Sequence, residues 1–323
     1  MQVSKLLDKI DTIQQHRPSL SFIYALIKKY GDDRGGYQAA LITYYGFLSL
    51  FPLLLVLVTL VQIVFGPNSS VRQHIITSVG HYFPLLSSQL QNNVHAKSGE
   101  GIGLAIGLLL TFYGARGGVN ALSYTLNNIW HVPQDKRGNF LTNLWHGIAI
   151  MFVGGIGFIV AAAVSGLSSS VNYSSLSKLL LNFMSVCIIA GVLTAVSRLA
   201  IMLPAKAQFR DLLYGNIACA VLLQILLTFG SLIMKRELQN LNSIYGTFAI
   251  VLGLLFWIYL LTQVFMYAAE ANAVRYWHLW PRGLTPPLTA ADRQAQKLYL
   301  RRESYVGDES VEVEFKNQTS EEK

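Results

Sequence analysis

Ile244–Val274 reads IYGTFAIVLGLLFWIYLLTQVFMYAAEANAV, and its first charged residue is Glu270. It continues a charge-free run that begins at Leu238. A bilayer core of about 30 Å needs about 20 apolar residues in a helix, and a barrel strand only about 10, so a run of this length reads as a membrane-spanning helix. Five more runs of the same kind lie upstream: Gln38–Phe65, Gly101–Leu126, Leu141–Leu167, Leu179–Leu203 and Leu212–Met234. Pro52 removes a helical hydrogen bond, so it kinks or breaks the first.

The rest of the composition agrees. Of 323 residues, 52% are hydrophobic and 13% charged, against about 25% charged in soluble domains. An ordinary soluble fold is thereby excluded. The expected fold is all-α and polytopic, a bundle of six transmembrane helices with amphipathic flanking helices. Residues 1–37 form a cytoplasmic amphipathic N-terminal segment, 38–274 the six-helix domain, and 275–323 a cytoplasmic tail that is disordered after about 306. In the tail, Thr289 followed by Asp292 has the spacing of a capping box and predicts a short helix ending near Arg302.

Six spans put both termini on one side. Within about 20 residues of a span that side carries 10 Lys or Arg and the other carries 5, so both termini are expected in the cytoplasm and the loop Gly66–Glu100 outside. The net charge of +8 fits a membrane surface. No basic run interleaves with aromatics, so no nucleic acid is expected. Leu20–Ile27 is followed by Lys28, Lys29 and Tyr30 rather than small residues, so no cleaved signal peptide is read there. Cys187 and Cys219 form neither a disulfide framework nor a metal-site spacing.

Polar residues inside the spans fall into stripes. Gly103, Gly107, Gly114 and Gly118 share one face of the second span and permit close helix packing. On another face Tyr113, Arg116, Asn120, Ser123 and Asn127 recur at steps of three and four, a stripe expected to turn away from lipid. Tyr259, Gln263, Tyr267 and Glu270 do the same on the sixth span, and Arg198 lies in the fourth. At about 1.5 Å per residue Arg116 lies roughly 22 Å from the outer end of its helix, Arg198 roughly 28 Å and Glu270 roughly 39 Å, all in the cytoplasmic half. Buried charges at such depth usually face a cavity or one another. One reading is a polar cavity open to the cytoplasm, with Arg116 and Arg198 presented to an anionic group and Glu270 as counter-ion or proton-coupled switch. The other is that Arg198 and Glu270 snorkel to water and the amides join helices.

AALITYYGFLSLFPLLLVLVTL, GARGGVNALSYTLNNIWHV and YGTFAIVLGLLFWIYLLTQVFMYAAEANA together resemble the YihY/BrkB family of bacterial inner-membrane proteins, over about Asp33–Ala273. The resemblance implies a six-helix bundle in the inner membrane but no settled activity. Members have been labelled as a ribonuclease acting on transfer RNA, as virulence factors and as transporters.

The nuclease label lacks visible chemistry. The seven histidines form no HxH or HxxxH pair, and there is no phosphate loop, serine nucleophile elbow or CxxC pair. His131 and His146, near Trp130 and Trp145, offer the one acid–base candidate and read more simply as headgroup-level anchors. The chain is therefore expected not to be an enzyme and to need no cofactor or metal. It is expected to act as a transporter, flippase-like protein or channel for an anionic or amphiphilic solute among membrane lipids. A non-transporting scaffold is the alternative, and a membrane-associated ribonuclease a distant third.

Overall fold

The computed structural model describes residues 2–49, 102–170, 175–202, 208–245 and 248–306. These are helical, with no strand among the described residues: α1 (Gln2–His16), α2 (Pro18–Asp32), α3 (35–49), α4 (Ile102–Ile129), α5 (Phe140–Ser170), α6 (Ser175–Ala200), α7 (Phe209–Tyr245), α8 (Phe248–Tyr276) and α9 (Ala290–Arg302). Four helical stretches are long and apolar enough to cross a membrane: Phe140–Ala161, Leu179–Ala200, Phe209–Leu227 and Val251–Tyr276. They match the third to sixth expected spans. Only the start of the first is described, as α3; the rest of that run, Pro52 and the loop Gly66–Glu100 lie outside the described residues, as does the tail beyond 306.

Sequence explains where the helices stop. α4 ends with the Val132 amide donating to the Asn127 carbonyl at 2.9 Å and the His131 amide to that of Asn128 at 3.1 Å, while His131 takes φ 52°. α8 ends the same way, with Leu279 donating to Val274, His278 to Arg275, and φ 50° at His278. Both are Schellman caps, in which the left-handed residue closes the last turn. Pro133 and Pro281 then forbid continuation. Pro18 starts α2 at its first turn. The predicted capping box is complete: the Thr289 hydroxyl accepts from the Asp292 amide, and the Asp292 carboxylate accepts from the Thr289 amide.

Packing runs in sequence order, α5 on α6, α6 on α7 and α7 on α8, with α2 laid against α8. α7 and α8 approach closely at Gly215. A methyl group at Gly215 would collide with the Ala268 carbonyl and the Asn272 side chain, and Asn272 uses that space to accept from the Gly215 amide at 2.7 Å and donate to the Leu212 carbonyl at 2.9 Å. The expected glycine face of α4 meets α3, where a methyl at Gly114 would press on the Ser49 backbone. The core collects at the tail-bearing end, around Leu126, Ile129, Trp130, Met266 and Ala273. Elsewhere only 18 to 33% of each apolar window is buried within the chain. Outward side chains such as Phe152 and Phe183, 66% and 68% exposed, need an apolar solvent, and lipid supplies it.

The two tails do not behave as separate appendages. Ala25 of α2, Val274 and Leu279 from the end of α8, and Ala295 and Leu298 of α9 form one second apolar cluster. α2 is not a simple amphipathic helix with its lysines in water. It buries Ser21, Ala25 and Lys29, while Leu20, Ile23 and Ile27 are 43 to 56% exposed.

Candidate functional site

α4 and α5 diverge around a cavity of about 230 Å³. Arg116, Asn120, Ser123 and Asn127 line it from α4, Arg137 from the connection and Asn143 from the first turn of α5. Val119, Leu144, Ile148 and Met151 supply its apolar wall. No acidic residue is among the described lining residues, so two guanidinium groups face it without a carboxylate. The Arg116 guanidinium lies 5.1 Å from the Phe140 ring centroid. Arg137 donates through Nη2 to Asn128 Oδ1 at 2.7 Å and through Nε to the Val132 carbonyl at 3.2 Å. Its Nη1 is buried with no hydrogen-bond partner among the described residues. Burial and, with it, the Arg302 cation lower the Arg137 pKa from the usual arginine value, against the opposing pull of Tyr124.

The stripe on α4 is split between outside and inside: Tyr113 is 70% exposed and Asn120 is also exposed, Arg116 and Ser123 are half-buried, and Asn127 is buried. The cavity opens at the outer side of the α4–α5 pair, where its lining residues Asn120, Tyr124 and Phe140 are exposed. Helix geometry gave the stripe its common face, but which face looks outward is decided by packing of the glycine side on α3. Asn127 is spent on structure: it accepts from the Met202 amide at 2.8 Å and donates to the Ala200 carbonyl at 3.1 Å, closing the end of α6. Arg198 is half-buried on α6 and does not line this cavity.

The stripe on α8 belongs to a different place. Tyr30 of α2 donates to Gln263 Oε1 at 2.6 Å and stacks on Tyr267 with centroids 4.4 Å apart, and Lys29 Nζ lies 2.7 Å from Glu270 Oε2. Lys29 also reaches Asp33 at 2.5 Å and the Ile129 carbonyl at 3.0 Å, and Arg302 reaches Asp33 at 2.8 Å. Burial alone would lower the Lys29 pKa, but the Asp33 and Glu270 carboxylates outweigh it and raise it. Tyr259, further along α8, is partly buried against the core. The stripes therefore serve two sites, and the partner of Glu270 is Lys29 rather than Arg116.

Charge spacing hid these partners. Lys29 and Asp33 stand at i and i+4 on α2 and its exit turn, a pairing visible in sequence, but Glu270 is far away along the chain. A third set ties the tails together. Asp292 accepts from Lys28 at 3.0 Å, Arg282 at 2.9 Å and the Gly283 amide at 2.8 Å, and Arg282 also pairs with Asp32 at 2.9 Å. Burial opposes ionisation of Asp292, yet the bonds from Gly283, Arg282, Thr289 and Lys28 together hold its pKa well below the usual carboxylate range.

His131 and His146 are not a pair. His131 is buried edge-on to Tyr299, and burial followed by the Lys29, Arg302 and Arg282 cations pulls its pKa well below the ordinary value, so it is neutral. His146 is half-buried and contacts the Thr142 carbonyl at 2.8 Å. No cluster of three or more His, Cys, Asp or Glu among the described residues is placed to hold a metal ion.

The family described as virulence factor BrkB matches residues 26–288. A UPF0761 membrane protein of Vibrio vulnificus (strain YJ016) is 25% identical over 281 residues, covering 82% of this chain and 86% of its own. A UPF0761 membrane protein of Psychrobacter sp. (strain PRwf-1) is 27% identical over 268 residues, 78% of this chain and 48% of its own. A Bacillus subtilis (strain 168) protein named ribonuclease-like protein YfkH is 24% identical over 269 residues, 79% of this chain and 95% of its own. No solved structure matches at the same level.

Proposed function

This chain belongs to the BrkB family and is a membrane protein, and we propose that it moves an anionic or amphiphilic solute across the bacterial inner membrane, as a transporter, flippase-like protein or channel. The observation that supports this reading is the α4–α5 cavity, whose described wall holds Arg116 and Arg137 and no carboxylate. Charges at such a site cost insertion energy, about 2.5 to 3.5 kcal/mol each at mid-membrane, which a bound anion offsets. Six spans with both termini in the cytoplasm complete the proposal. Under that topology Arg137 lies at the cytoplasmic mouth and Arg116 deeper.

A scaffold that binds partners is the second reading, and the ion-paired unit built from Lys28, Asp32, Arg282 and Asp292 favours it. Ribonuclease action, suggested by the name of the Bacillus relative, finds no acid–base pair in His131 and His146. We propose no enzymatic activity and no nucleic-acid partner. Purified protein in vesicles, assayed with small anions and with labelled lipids, tests the reading: Arg116→Gln should abolish movement of the solute that the parent protein carries. Normal movement by that variant would make Arg116 structural, and no movement of any solute by the parent protein would leave the scaffold reading standing.

A further inference from the structure

We infer that the α4–α5 cavity takes its ligand sideways from the lipid, and that the ligand is a phosphate-bearing amphiphile whose headgroup lies between Arg116 and Arg137 while its chain stays outside in the bilayer. The inference rests on the anion-site reading above and specifies both the ligand and its route.

The position of the mouth carries the argument. The cavity lining includes two aromatic side chains that are themselves exposed, Tyr124 of α4 and Phe140 of α5, 51% and 64% exposed. A passage for a small hydrated anion would run between helices inside the bundle. This one opens through an aromatic and apolar rim, the type of side chain that settles where tails meet headgroups.

Size and charge select the ligand. At about 230 Å³ the cavity is smaller than the roughly 300 to 1,000 Å³ of drug-sized sites, so it accommodates a headgroup and not a whole lipid. Arg116 and Ser123 are separated along α4 by roughly 10 Å with Asn120 between them, so the polar wall is long enough to follow a phosphate and its ester linkage. Val119, Leu144, Ile148 and Met151 continue it with an apolar surface for the first carbons of a chain. Arg137 lines the same wall with its guanidinium held by Asn128 Oδ1 and the Val132 carbonyl, so it contributes a fixed positive charge to the headgroup site. The described wall offers no carboxylate to a choline or ethanolamine cation. A phosphomonoester such as phosphatidic acid thus fits better than a zwitterionic headgroup.

The test uses the full chain in vesicles of phosphatidylcholine containing a minor fraction of photoactivatable phosphatidic acid, or the same fraction of photoactivatable phosphatidylcholine. Cross-links are mapped by peptide mass spectrometry. Phosphatidic acid should label α4 and α5 peptides about tenfold more than phosphatidylcholine, Arg116→Gln should remove most of that preference, and excess inorganic phosphate should leave it intact. Thermal stabilisation of the parent protein by phosphatidic acid, lost in a folded Arg116→Gln, gives a readout free of the cross-linker. If inorganic phosphate binds at the site and the lipid does not, the lipid route is wrong and the anion reading survives. If neither binds, both fall. Labelling unaffected by Arg116→Gln reports surface lipid alone and overturns the inference, as does a cross-linked second copy seated on the rim.

Discussion

Lys29 Nζ stands 2.7 Å from Glu270 Oε2, and both side chains are fully buried. This contact carries the polar stripe of α8 onto α2 rather than into an open cavity. Glu270 Oε1 is buried without a hydrogen-bond partner among the described residues, so the pair is tightly confined but incompletely satisfied. Such pairs contribute little net stability over an apolar replacement, yet removing one member leaves the other charge stranded.

Lys29→Met should therefore destabilise the protein by about 3 to 5 kcal/mol, since it strands Glu270 and part of the Asp33 charge. Lys29→Met with Glu270→Leu should recover much of the loss, because Arg302 still pairs with Asp33. Denaturant unfolding in detergent measures both. A double variant no better than the single would show that the energy lies elsewhere.

Single cysteines separate the two stripes. Asn120→Cys, on the exposed lip of the α4–α5 cavity, should react with a thiol reagent in the folded protein. Gln263→Cys, covered by Tyr30, should be protected until α2 is displaced. Equal reactivity at both positions would contradict the packing of α2 on α8.

His131 makes stability depend on pH. Its folded pKa lies well below the usual value, so between that folded value and about 6.5 the unfolded chain holds a proton that the folded chain lacks. Stability should be full above pH 6.5 and fall by about 1.4 kcal/mol for each unit of acidification below it. His131→Asn keeps a residue tolerant of positive φ and should flatten that slope. Retention of the full slope in the variant would assign it to another group.

Gly215→Val should block the close approach of α7 and α8, because its side chain would occupy the space of Asn272 and the Ala268 carbonyl. A loss of about 1 to 3 kcal/mol is expected from overpacking, with more if the Asn272 bonds to Gly215 and Leu212 break. Unfolding of this variant beside Gly155→Val, where the added side chain starts in open space, isolates the effect.

Much of the architecture could be read along the chain, because it depends on local quantities. Four apolar runs, the Thr289–Asp292 capping box and the stripes at helical spacing follow from bilayer thickness, backbone hydrogen bonding and 3.6 residues per turn, none of which needs a distant partner. The direction each stripe faces is a different kind of fact. Arg116 and Glu270 belong to similar patterns, but one borders a cavity at the outer side of α4 and α5, and the other is sealed under Lys29. Arg137 and Asn143 lie in the connection and the first turn of α5, and they line the cavity only because α5 folds back beside α4. A polar group deep in a bundle is satisfied by whichever element packs over it. The sequence determined that these groups lie on shared helix faces, and tertiary packing of α2 on α8 and of α3 on the glycine side of α4 decided which became a buried ion pair and which an open, arginine-bearing wall.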